Sequence, residues 1–111
     1  MPVTYKEIST MIRQIGIPAA YLTFDYGNAE RPPFIVWYLE SGDNFNADNR
    51  SYQQKRWLRI ELYTEYKDFE SESRIESALN AHDLAFSLSE AFITDERLVE
   101  EIYETEVIID G

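Results

Sequence analysis

His82 is the only histidine in the chain and there is no cysteine, which removes disulfides, thiolate nucleophiles and cysteine-based zinc sites together. An imidazole could serve as a general base, but no serine elbow accompanies this one. His82 instead continues the stripe Ile75, Ala78 and Leu79, so a structural histidine is expected. The segment DNFNADN, residues 43–49, has the composition of a calcium loop. An EF-hand needs oxygen ligands at positions 1, 3 and 5, glycine at 6 and glutamate at 12. Counting from Asp43, those later positions hold Phe45, Ala47, Asp48 and Gln54, and the match fails. Asx turns anchored by Phe45 are the expectation there. The carboxylates of the C-terminal quarter could bind a divalent metal for hydrolytic work, but neither lysine nor histidine accompanies them and most fall on what reads as a solvated strand face. The four glycines are scattered singly, so no loop cradles a phosphate. The residues predict no enzyme, no metal and no cofactor.

Charge is more informative. The 111 residues carry a formal net charge of -11, distributed unevenly. Residues 1–50 hold four basic and six acidic side chains, and residues 51–111 hold six and fifteen. From Leu84 onward Arg97 faces eight acids: Glu90, Asp95, Glu96, Glu100, Glu101, Glu104, Glu106 and Asp110. The window Asn49 to Ile60 is the reverse, with Arg50, Lys55, Arg56 and Arg59 and no acid. One basic stripe on an acidic chain argues against wrapping nucleic acid, which needs many cations over a broad surface. It permits contact between the stripe of one subunit and the acidic region of another. Eight Tyr, six Phe and two Trp exceed what so small a core needs, and surface aromatics are enriched at interfaces.

The elements that must position these groups follow from periodicity. Tyr5, Ile8, Ile12 and Ile15 predict a helix over Thr4 to Gln14, with Thr4 and Glu7 as a capping box and Gly16 and Pro18 as the stop. Ala20 to Tyr26 alternates as a half-buried strand, and Phe34 to Leu39 is apolar on both faces, as in a covered central strand. After the polar loop 41–50, Leu58, Ile60 and Leu62 fall on one face of a strand, with Trp57, Arg59, Glu61 and Tyr63 on the other. Asp68 caps a second helix to Ala81. Two closing strands are expected in the remainder, around a turn near Thr94 to Val99, with a helix over Asp95 to Tyr103 as the alternative. The order predicts a single α+β domain over 1–111. Its core would be an antiparallel meander of about four to five strands with both helices on one face.

One surface follows. Arg50, Lys55, Arg56, Trp57, Arg59 and Tyr63 form a candidate subunit interface, because Arg, Trp and Tyr dominate interface hot spots. The competing reading is that Arg56 and Arg59 answer nearby carboxylates such as Glu61 within the sheet.

The run NFNADNRSYQQKRWLRIELYTEYKDFESESRIESAL resembles small tail proteins of long-tailed phages and prophages, in particular the tail terminator, or tail-to-head joining, family. The features shared are NFNADN, Tyr52, the strand Ile60 to Thr64, the helix start KDFESE with Ile75 and Leu79, the GIP after the first helix, and PPFIVWY. The resemblance implies a hexameric ring in the virion that ends the tail tube and joins it to the head connector. Its partners would be further copies of the chain, the tube protein and the connector. Asp43, Asn44, Phe45, Asn46, Asp48 and Asn49 would then be a docking loop. Glu100, Glu101, Glu104, Glu106 and Asp110 would border a channel through which DNA passes without sticking, since carboxylates repel phosphates. Neck and head-completion proteins, or another non-enzymatic binding module, are the alternative. The N-terminus lacks a positive region followed by an apolar run, which fits assembly in a host cytosol.

Overall fold

The computed structural model describes residues 2–23, 31–41 and 53–110. Among these the chain forms α1 (Tyr5–Gln14), β1 (Ala19–Tyr21), β2 (Phe34–Ser41), β3 (Gln53–Thr64), α2 (Phe69–Ala81), β4 (Ser87–Ile93) and β5 (Leu98–Asp110). The strands make one sheet in the order β1-β2-β3-β5-β4. This is the α+β architecture that the sequence predicts, with a sheet that is antiparallel except at one edge.

That edge corrects the expected meander. β1 runs parallel to β2, with Ala19 beside Ile35 and Tyr21 beside Trp37. The predicted strand from Ala20 to Tyr26 also stops early, because Leu22 takes a left-handed φ of 67° that no extended chain can hold. Residues 24–26 lie outside the described part, as does the polar loop over 42–52. At the other end β5 enters between β3 and β4, antiparallel to both. β3, α2 and β4 therefore form a crossover whose two parallel strands are split by β5.

α1 begins as its sequence requires. The Thr4 hydroxyl accepts from the Glu7 N–H and the Glu7 carboxylate accepts from the Thr4 N–H, both at 3.1 Å. Replacing Thr4 by alanine is expected to cost about 1 kcal/mol, read as a lower urea midpoint, because the Glu7 N–H loses its partner. α2 is capped by Asp68, which accepts from the Ser71 N–H at 3.0 Å. The C-terminal segment forms a hairpin and not the alternative helix. A turn over residues 94–97 places Arg97 at φ 56°, and β5 is rich in the β-branched and aromatic residues that suit a pleated surface.

Both helices cover one face. Ile8, Met11, Ile12 and Ile15 from α1 and Ile75 and Leu79 from α2 join Ile35, Trp37 and Leu39 of β2, Leu58, Ile60 and Leu62 of β3, and Tyr103, Val107 and Ile109 of β5. Register explains the selection. Trp37, Ile60 and Tyr103 are side by side across three strands, and so are Leu39, Leu58 and Thr105. The Tyr103 hydroxyl donates to Glu76 at 2.8 Å, tying β5 to α2, and burial pushes that phenol above its ordinary range. Among the described residues no helix is long and apolar enough to cross a membrane.

Candidate interaction surface

Among the described residues, no helix lies over the opposite face of the sheet. Strand alternation puts Phe34, Val36, Tyr38 and Glu40 of β2 there, beside Lys55, Trp57, Arg59, Glu61 and Tyr63 of β3 and Glu100, Ile102, Glu104, Glu106, Ile108 and Asp110 of β5. The basic stripe and most of the acidic tail, which sequence suggested as separate surfaces, are thus neighbours on one face of one chain.

Their charges meet at short range. Arg59 lies at the centre, its Nε donating to Glu61 at 2.9 Å and its Nη1 standing 3.8 Å from Glu40. The guanidinium also sits 5.8 Å from the Tyr38 ring centroid. Tyr63 places its hydroxyl 2.8 Å from Glu61 and 2.6 Å from Glu100, and its ring stacks on Phe34 at 5.1 Å. Burial, then those two carboxylates, hold the Tyr63 phenol well above its usual range, so it stays a donor. Lys55 approaches Glu106 at 4.0 Å. The reading of Arg59 as an answer to Glu61 within the sheet is therefore what the geometry shows. The half of β3 that looked open is largely occupied by its own neighbours, and Glu61 is buried beneath them.

Trp57 is the exception. It is 42% exposed and stands between Glu40 of β2 and Glu106 of β5. Among the described residues it is the one large apolar side chain exposed on this face, although Tyr66, Phe69 and Phe92 are more exposed elsewhere.

Comparison with models of known protein families and with curated proteins found no match to this chain. Its function is accordingly argued from the residues and their arrangement.

One of the expected interface residues sits elsewhere. Arg56 belongs to the helix-bearing face, because it is one residue out of phase with Lys55 and Trp57. Its guanidinium donates to the carbonyls of Glu40 (2.9 Å) and Leu39 (3.0 Å) and to the Tyr5 hydroxyl (3.2 Å), clamping the end of β2 to α1. Arg50 lies outside the described residues, as do Asp43, Asn44, Phe45, Asn46, Asp48 and Asn49. Of the acidic candidates, Glu100, Glu104, Glu106 and Asp110 are on the face without helices, while Glu101 points the other way and is fully buried. The view that no lysine accompanies these carboxylates fails there, since Lys67 reaches Glu101 from the link before α2. His82 ends α2, exposed, with Nδ1 donating to the Ala78 carbonyl at 2.9 Å.

Proposed function

We propose that this chain is a structural subunit of a phage tail, of the tail-terminator kind, which assembles into a hexameric ring joining the tube to the head connector. The observation that carries the reading is Trp57, exposed on a sheet face that no helix covers. A closed ring requires heterologous contact, in which one surface of a subunit meets a different surface of the next. A rigid sheet presenting an indole between charged side chains suits one half of such a contact.

The resemblance across NFNADN, IELYT and KDFESE supports this kind of assembly, and the open sheet face supports a contact there. Charge supports the channel as well. Among the described residues this face sets Lys55 and Arg59 against Glu40, Glu61, Glu100, Glu104, Glu106 and Asp110. Where β5 runs clear of the Trp57 contact its carboxylates would repel phosphates, so DNA would slide past it and not bind.

The absence of cysteine makes a direct test simple. A Lys55→Cys variant, two residues from Trp57 on the same face and 43% exposed, keeps the indole and carries one thiol. Labelling with a maleimide is expected to be fast in dilute protein and slowed at least about tenfold in the assembled fraction, as for a buried interface position. Equal labelling rates in both fractions would remove Trp57 from the contact.

A further inference from the structure

Glu101 is the least expected residue of the core. It occupies the inner face of β5 with no solvent exposure, and its Oε1 is buried without a hydrogen-bond partner. Around it stand Lys67 from the link before α2, Glu72 from α2 and Glu90 from β4. Lys67 Nζ lies 3.0 Å from Glu72, 2.5 Å from Glu90 and 3.4 Å from Glu101. β3 presents only Leu62 and Thr64 on this side, neither titratable, and the next inward group along β5 is Tyr103, bonded to Glu76.

Oxygens of the three carboxylates lie within 4.8 Å of one another. That spacing suits a cation, and the cation present is the Lys67 ammonium. One positive charge cannot balance three ionised carboxylates, and the fully buried member cannot relieve the excess through water. A proton on one carboxyl relieves it, because the protonated oxygen becomes a donor to its neighbour.

The cluster also has a mechanical position. β4 is an edge strand, with every residue exposed except the half-buried Ile93, including Leu88 and Phe92. It is paired to β5 along one side, and Glu90 reaches the helix layer through Lys67.

We propose that Glu90 and Glu101 share one proton at neutral pH, and that this proton, together with Lys67, latches the edge strand β4 to the start of α2. Burial, then the Glu90 and Glu72 carboxylates, push Glu101 up to about 7. Glu90, beside Glu101 and paired with Lys67, is held below its ordinary value. The two therefore act in different windows. Glu101, with its folded value raised, contributes stability that is complete below the ordinary carboxylate range and is lost as pH rises through about 7. The contribution of Glu90 is lost only in acid, below that range. Deprotonation near neutrality therefore loosens β4 and uncovers the edge of β5 to which it is paired. The latch does not depend on the ring assignment.

The test is a carboxyl carbon NMR titration of the whole chain. A Glu101 midpoint near 7 is expected, and a Glu90→Gln variant, altered at an exposed position, should move it down toward the ordinary range. Thermal melts of Glu101→Gln, which mimics the protonated acid, should match the parent near pH 5 and exceed it by about 5 °C at pH 8. Amide exchange in β4, corrected for its intrinsic pH dependence, should rise relative to β3 over the same interval. A Glu101 midpoint below about 5.5, or β4 exchange that keeps a constant ratio to β3, would overturn the proposal.

Discussion

Replacing Ile60 by alanine is expected to lower the unfolding free energy by about 2–5 kcal/mol. Ile60 has no exposure and is flanked in register by Trp37 and Tyr103, with the helix residues Ile12, Ile75 and Leu79 in the same core. It is central to a sheet whose rigid neighbours cannot collapse into the space, so the cavity remains and its cost adds to the lost transfer energy. A domain of this size is stable by about 5–15 kcal/mol, so the variant should retain its fold with a much lower urea midpoint and an unchanged denaturant slope. A loss below about 1 kcal/mol would mean that the three-strand row is not the centre of the core.

Trp57→Ala should do the opposite, leaving folding nearly intact while abolishing assembly. The side chain is 42% exposed, so its removal should change stability by less than about 1 kcal/mol. As an aromatic anchor at a subunit contact it should contribute at least about 2 kcal/mol per interface, a factor of about 30 in each association step. Because a closed ring repeats the same contact, the defect compounds around the circle. Reversing Arg59 would be a poorer probe. Its guanidinium already holds Glu61 and Glu40, so a glutamate there would place a new carboxylate against Glu40, Glu61 and Glu104 and damage the subunit itself. A Trp57→Ala protein that melts with the parent and still assembles would dismiss this face as the contact.

The sequence was legible wherever one face of an element was purely apolar. Leu58, Ile60 and Leu62 have no exposure, and the Thr4–Glu7 capping box forms as written. β5 was ambiguous, since both of its faces mix carboxylates with β-branched residues. Only the register with β3 decides that Glu101, Tyr103 and Thr105 turn inward. The parallel pairing of β1 had no local signal, because strand direction depends on the course of residues 22–33 and not on alternation. Arg56 was grouped with Lys55 and Arg59 by proximity in sequence, although strict alternation placed it on the other face. The Lys67 cluster joins residues from the link before α2, α2, β4 and β5, so it exists only once the sheet has closed. Its one trace in the sequence was Lys67 itself, the single base between Arg59 and Arg74.

The central claim is assembly, and native mass spectrometry of the purified chain tests it most directly. Each subunit has a mass of 13.1 kDa, so oligomers separate cleanly across a series of protein concentrations and salt. A six-subunit species that grows with concentration and is lost in the Trp57→Ala variant is the predicted result. A monomer at every concentration, with or without the indole, would contradict a self-assembling ring.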